Sequence, residues 1–388
     1  MPKPVKTVVI VGGGSAGWLT AGLLAAEFQP GPESGFEIIL VESPDVATIG
    51  VGEGTWPTMR LSLQKMGVSE TDFLRACDAS FKQGTRFSGW LHGEDEFYYH
   101  PFTAPEGFKR ICLARHWQPL RRDVSFADAV SSQSRACELN LAPKQITTPE
   151  YASNLNYGYH LDAGKFSAFL AAHCTEKLGV VHFRDNIVAV NTADDGDIRS
   201  LSTQSGKEIP GDLFVDCTGF AAILIDKHFG IPFRGIQQYL FNDRALAVQV
   251  PHQSQDEPIA SVTRSTAQRA GWVWDIALPT RRGIGYTYSS AHVSDEQAEQ
   301  ELHHYLAAEA GVRGEAPELR QIKFRSGHRE KLWHRNCVAI GLSGGFVEPL
   351  EASALVMIEM SAKMLSEQLP ANRAAMDRAR ALSLRGAG

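Results

Sequence analysis

"GGGSAGW", Gly12 to Trp18, follows the apolar run "TVVIVG" and opens into "AGWLTAGLLAAEF". Branched apolar residues feeding a glycine cluster and then a helix-forming run predict strand, tight turn and helix. Gly12, Gly14 and Gly17 fit G-x-G-x-x-G, with Ser15 and Ala16 at the helix start. That spacing suits a backbone that turns sharply, lets a diphosphate approach without Cβ atoms in the way, and lays helix close on strand. Free N–H groups at the helix start would face the anion. A second apolar strand, "FEIILVES", ends in Glu42, an acid placed to accept hydrogen bonds from ribose hydroxyls. Lys3 and Lys6 before an apolar stretch could suggest a secretory signal, but three consecutive glycines inside that stretch oppose it. The order of signals points to an adenine-dinucleotide site.

Composition narrows the class. A chain of 388 residues can bury one large core or two lobes sharing one. Its net charge of −6 and lack of a basic tract give no reason to expect nucleic acid or an anionic membrane as partner. Cys77, Cys112, Cys137, Cys174, Cys217 and Cys337 are scattered, without C-x-x-C or clustering with histidine, so neither a metal site nor a disulfide framework is expected. No apolar run reaches the ~18 residues of a spanning helix. A soluble, cytoplasmic protein, monomer or homodimer, is the expectation.

Nucleotide-binding signals recur far along the chain. "GDLFVDCTGF", Gly211 to Phe220, reads as a strand carrying Asp216 and closing on Gly219. "CVAIGLSGGFVEPLEASALVMIEMSAKML" reads as strand, a glycine turn at Gly341, then a long apolar helix. Between them "ALAVQV", "GWVWDIAL" and "GIGYTYSS" alternate like strands. One α/β, FAD-binding Rossmann-type, three-layer flavoprotein fold with an inserted antiparallel sheet on the substrate side accounts for this order. The cofactor segments would be about 5–78, 155–225 and 330–370, with substrate-side segments about 79–154 and 226–329. Asp78 to Phe126, rich in aromatics and weak in periodicity, reads as an irregular insertion supplying a substrate pocket.

Four segments in order, "IGVGEGTWP" (Ile49 to Pro57), "SFKQGTRFSGW" (Ser80 to Trp90), "GWVWDIAL" (Gly271 to Leu278) and "GFVEPLEAS" (Gly345 to Ser353), resemble the flavin-dependent tryptophan halogenases from about residue 6 to about residue 373. Gly52 and Thr55 of the first segment would join Gly12, Gly14, Ser15, Ala16, Gly17, Glu42, Asp216, Gly219 and Gly341 at the FAD. Lys82, flanked by Phe81 and Phe87, would on general grounds be a solvated cation or a desolvated amine of lowered pKa. The resemblance implies the second, with Lys82 presenting an electrophilic halogen to an aromatic ring. Glu351, taken as the opening of the last helix, would stabilise or deprotonate the ring cation. Ser353 and Ala354 would bind chloride or bromide through backbone N–H groups at that helix start. His100 and Phe102 of "YYHPF" would flank the substrate ring. Trp272 and Trp274 serve as identity markers and otherwise as sheet-face packing.

The chain departs from the family pattern where Ala352 replaces a serine beside Glu351, and where Ala277 replaces a proline. It also ends early: residues 371–388 are expected to be a disordered or shortened tail, with the last eleven, "RARALSLRGAG", unlike the family and suggestive of a frameshift or early stop. The implied reaction uses reduced flavin from a separate reductase, oxygen and halide to make hypohalous acid for an indole or other electron-rich aromatic. Two alternatives stay open at this point: a flavin monooxygenase that hydroxylates, and a shortened FAD-binding protein without turnover.

Overall fold

The computed structural model describes residues 4–46, 52–93, 95–254, 256–313, 317–348 and 350–369. The expected tail, 371–388, lies outside the described residues, as does Pro349 ahead of Glu351.

The opening strand, Thr7–Val11, sits inside a six-stranded sheet. Its neighbours are Glu37–Glu42 and then Val181–Arg184 on one side, and Leu213–Asp216, Cys337–Ala339 and Trp333–His334 on the other. All pairs are parallel except the last. Near-continuous apolar runs are what such a sheet demands, because both of its faces are covered. Successive residues divide between two cores. Val8, Ile10, Ile38, Leu40, Leu213 and Val215 face helices Ser15–Phe28, Ala163–Lys177 and Ser353–Gln368. Val9, Val11, Ile39, Val41 and Phe214 face a small sheet bearing Ile198, Leu201 and Ile209. Helices, parallel sheet and small sheet make the three layers. Helix Ser15–Phe28 is buried continuously from Gly17 to Ala25, which explains why it is apolar all round rather than amphipathic.

The second large sheet has seven strands, in the order Arg320–Lys323, Arg244–Pro251, Arg281–Tyr288, Gly271–Ala277, Thr263–Gln268, Gly84–Ser88 and Phe97–Pro101. Leu246, Val248, Val273, Ile284 and Tyr286 pack from it against Ala298, Leu302 and Leu306 of helix Asp295–Glu309. Two details correct the sequence expectation. The sheet is antiparallel except where Thr263–Gln268 runs parallel to Gly84–Ser88. The stretch after Asp78 is also more regular than its weak periodicity suggests, since it contributes strands Ser80–Lys82, Gly84–Ser88 and Phe97–Pro101. These are short, and the last is an edge strand largely open to solvent, so no clean apolar alternation marks them.

A three-stranded sheet, Gly52–Gly54, Gly158–Asp162 and Ser80–Lys82, joins the two halves. It matters most here, because it carries Lys82. Among the described residues no helix is long and apolar enough to cross a membrane, and no cluster of three or more His, Cys, Asp or Glu could hold a metal ion. The six cysteines form no disulfide among these residues.

Candidate active site

The glycine turn is shaped by close approaches. Gly12 has φ +117°, and a Cβ there would lie 2.2 Å from the Cys217 carbonyl oxygen. A Cβ on Gly17 would lie 1.8 Å from the Gly12 carbonyl oxygen. Gly13, outside the motif, is needed too, since its Cβ would meet the Glu42 side chain at 2.3 Å. At Gly14 a side chain would meet nothing within 4 Å, and Gly14 caps the helix without a side-chain hydrogen bond. The turn is tight against the protein on three glycines and open on the fourth, where the first helical N–H groups have no partner of their own helix. The Ser15 hydroxyl bonds that of Ser167 at 3.1 Å, leaving the backbone as the anion-facing element.

Glu42 reaches over this turn and is held there by His182, whose Nε2 lies 2.8 Å from its Oε2. Gly341, at φ +76°, presses on the helix start, where a Cβ would come within 2.8 Å of the Ala16 Cβ. Gly219, at φ +66°, borders open space. Distant segments thus converge on one cradle. Two expected contacts take another form. Asp216 is fully buried and spends both oxygens on protein donors: Oδ1 accepts from the N–H and hydroxyl of Thr218, Oδ2 from the N–H groups of Leu224 and Ile225. Thr55 is fully buried and its hydroxyl accepts the Tyr159 N–H at 2.9 Å. Both shape the cradle from inside. Gly52, paired with Asp162, belongs to the same connecting sheet.

Lys82 ends its strand with no exposure, and its Nζ has no hydrogen-bond partner among the described residues. Its stem crosses the connecting sheet where glycines leave room. A Cβ on Gly54 would sit 3.1 Å from Lys82 Nζ and 3.0 Å from the Ala352 Cβ, so ammonium and turn lie against the same strand. The ring of Phe102 is 5.5 Å from Nζ, fixed there by its N–H bond to the Gln83 carbonyl. Burial lowers the Lys82 pKa to about 8, while the charges of Glu351 and Glu53 oppose the fall. Burial likewise pushes Glu53 up to about 7, with Lys82 pulling it down. His160, on the central strand of this sheet, is fully buried, with Nε2 2.9 Å from the Thr263 hydroxyl and no partner at Nδ1. Burial and the Lys82 charge hold it well below the ordinary histidine range.

Glu351 bonds Nδ1 of His100 through its carboxylate, which raises the histidine pKa. It does not open the helix, as its sequence position suggests. The helix begins at Ser353, and Glu351 and Ala352 before it take φ of +66° and +61°. The Ser353 hydroxyl is buried without a partner at the uncapped helix start, adjoining Ala354. Trp272 and Trp274 lie on one face of their strand with rings 6.2 Å apart. Trp272 donates its indole N–H to Glu348, and Trp274 fills the space that Gly285 leaves, where a Cβ would clash at 2.1 Å. The Ala277 carbonyl accepts the Ser80 hydroxyl at 2.7 Å.

The fold therefore brings together Lys82, Glu351, His100 and Phe102, residues separated by up to 269 positions of chain numbering between Lys82 and Glu351. Over residues 7–381 the sequence matches the family model described as tryptophan halogenase. The chain belongs to the tryptophan halogenase family. It is an oxidoreductase of the flavin-dependent halogenase type. Tryptophan 6-halogenase SttH from Streptomyces toxytricini is 36% identical over 94% of this chain and 72% of its own length. Tryptophan 7-halogenase RebH from Lentzea aerocolonigenes is 32% identical over 95% of this chain and 71% of its own. The crystal structure of a tryptophan halogenase from Shewanella frigidimarina superposes with a TM-score of 0.94 at 51% identity, covering 99% of this chain and 74% of that one.

Sequence reasoning about this halogenase missed Glu53, Trp56 and His160. The first two lie inside the quoted "GEGTWP" stretch, where a charged residue flanked by glycines on a three-residue strand was the available signal. His160 follows Tyr159 in an apolar strand and carries no signal of its own, since a lone histidine there reads as packing.

Proposed function

We propose that the chain binds reduced FAD from a separate reductase, together with chloride or bromide, and halogenates an indole or another electron-rich aromatic at Lys82. The observation that carries this reading is the buried, unpartnered Lys82 ammonium beside Glu351. The open face at Gly14 over an uncapped helix start fits a diphosphate, and the buried Ser353 hydroxyl at a second helix start fits a halide. Bound reduced flavin supplies the electrons with which oxygen and halide yield hypohalous acid.

The protein's own residues then control where that oxidant reacts. Lys82 Nζ donates a hydrogen bond to the oxygen of hypohalous acid and points the halogen at the ring. It has no hydrogen-bond partner among the described residues, which leaves its three donors for that task. Burial of Lys82 keeps water from its ammonium, where water would consume the oxidant and weaken the charge interactions. Glu351 stabilises the ring cation and takes the proton that leaves as the halogen–carbon bond forms. His100 and Phe102 flank a flat ring, and stacking on such rigid side chains carries little entropic cost. Alanine at 352 removes one hydroxyl next to Glu351, so no proton route through that side chain exists here. A cytoplasmic location belongs to the same proposal, in keeping with six cysteines outside any disulfide.

Incubation of the protein with a flavin reductase, FAD, oxygen, an indole panel and either halide, read by mass spectrometry, tests the function. Halogenated product is expected; hydroxylated product, or flavin oxidation with no product from any indole, would overturn it. The pH profile follows from Lys82. An ammonium donor whose pKa burial lowers to about 8 is lost above that pH, so turnover should fall through pH 8. A profile flat to pH 10, near the pKa of an ordinary lysine, would contradict the assignment.

A further inference from the structure

Trp56 belongs to the first of the sequence segments that mark the family, yet the reaction as described gives it no task. Its indole N–H donates to the Glu351 carbonyl oxygen at 2.9 Å, across 295 positions of chain. That carbonyl belongs to the peptide joining Glu351 to Ala352, the two residues held at positive φ. Left-handed conformations cost a non-glycine residue roughly 1 kcal/mol or more, so two in succession persist only where neighbours over-determine them. The helix that follows offers no help, since Ala352 has no side chain that can cap it. Gly54 bounds the turn on one side, where a Cβ would lie 3.0 Å from the Ala352 Cβ. Trp56 bounds it on the other.

Trp56 is itself well anchored. Thr55 before it pairs with Tyr159 through N–H and hydroxyl, and the Trp56 carbonyl accepts the Met59 N–H at 3.1 Å in the first turn of helix Thr58–Lys65. Trp56 as a residue is nonetheless 39% exposed. A side chain that is neither core packing nor free surface, and that spends its one donor on a strained peptide, is suited to fixing that peptide's plane.

We propose that Trp56 is a positioning residue, whose hydrogen bond to the Glu351 carbonyl locks the Glu351–Ala352 turn and so fixes the carboxylate relative to Lys82. The inference rests on the catalytic reading of Lys82 and Glu351 given above. With the bond removed, the turn relaxes toward ordinary backbone conformations and the carboxylate swings away from Lys82. Lys82 faces Glu53 from the Gly52–Gly54 strand, His160 from the central strand, and Glu351 from this turn; Glu351 in turn faces His100 and Tyr98. Of these, only the Glu351 carboxylate is moved by the loss of the Trp56 bond. Its departure withdraws one of two negative charges that sustain the ammonium, so the Lys82 ionisation moves to lower pH.

Steady-state halogenation of an indole with bromide should be measured from pH 6 to pH 10 for the wild type, Trp56→Phe and Trp56→His, with flavin oxidation followed in parallel. Trp56→Phe is expected to lower kcat roughly ten- to hundredfold, with KM little changed, flavin oxidation at the wild-type rate, and the alkaline fall in activity moved to lower pH. Trp56→His, which keeps a ring N–H, should recover part of the kcat and of the pH profile. A kcat and pH profile equal to wild type in Trp56→Phe, or a rise in KM alone, would overturn the proposal. Trp56→His losing as much activity as Trp56→Phe, with the pH profile unmoved in both, would overturn it as well. A Lys82→Ala control separates the two levels: halogenation retained there defeats the catalytic reading, whereas loss there with a normal Trp56→Phe defeats only the role of Trp56.

Discussion

Lys82→Met is expected to stabilise the folded protein at pH 7 while removing its turnover. The side chain is fully buried and its ammonium finds no hydrogen-bond partner among the described residues, so folding strips a charge of water with only partial compensation from Glu351 and Glu53. The thermodynamic record of that cost is a pKa near 8 in the folded state against about 10.4 in the unfolded chain. Methionine has similar length, fills the same buried space and brings no charge. Glu53, already raised to about 7, would then take up a proton and leave no isolated charge behind. The gain should be on the order of 2 kcal/mol, after allowing for imperfect packing of the new side chain. Because the unfolded chain binds the extra proton between pH 8 and about 10.4, wild-type stability rises across that window. The advantage of the variant is therefore full below pH 8 and closes by about pH 10.4. Denaturant unfolding at pH 7 and pH 10 measures both; a variant less stable than wild type at pH 7 would show that the lysine stabilises its surroundings. A residue that costs stability where it stands is kept for what it does, and active sites store such costs.

The second large effect is at Gly17. Its missing Cβ is what allows the helix to lie on the turn, with the Gly12 carbonyl oxygen 1.8 Å from where a methyl group would be. No side-chain rotation relieves a clash between a Cβ and backbone. Gly17→Val must push helix Ser15–Phe28 away from Thr7–Val11, opening the turn and disrupting the core that the helix buries. Loss of FAD binding by at least a hundredfold is expected, together with destabilisation of several kcal/mol. Flavin fluorescence and thermal unfolding read the two separately. Gly14→Ala is the contrast: open space surrounds that position in the protein alone, so the fold should survive and only the cofactor's approach should suffer. Normal FAD affinity in Gly17→Val would mean that the cradle is not where the cofactor's diphosphate lies.

These two sites also show what a sequence can disclose. The glycine turn was legible because its constraints are local: a strand, a sharp turn and a helix follow one another, and only glycine satisfies the close approaches. The two neighbouring strands of the parallel sheet were legible for the same reason, in the apolar runs "TVVIVG" and "EIILVE". Lys82 and Glu351 were named through family resemblance, and their meeting depends on a connecting sheet whose three strands come from well-separated parts of the chain. Asp216 illustrates the limit. An acid at the end of a strand near Gly219 looks like a ligand, whereas its oxygens are used up by Thr218, Leu224 and Ile225. Nothing in the sequence counts hydrogen bonds across a loop that has not yet been folded. Trp56, His160 and Glu53 were missed because their meaning comes from partners that only the tertiary structure supplies.

In the proposed reaction the halogen reaches the substrate while held by the buried Lys82 ammonium beside Glu351. Brominated indole formed per flavin oxidised, measured side by side for wild type and Lys82→Met in the presence of a small-molecule hypobromite trap, tests it most directly. The predicted result is coupled bromination with an almost empty trap for wild type, and for Lys82→Met an unchanged rate of flavin oxidation, no brominated indole and oxidant recovered in the trap. Brominated indole from Lys82→Met at the wild-type ratio would rule out delivery by Lys82.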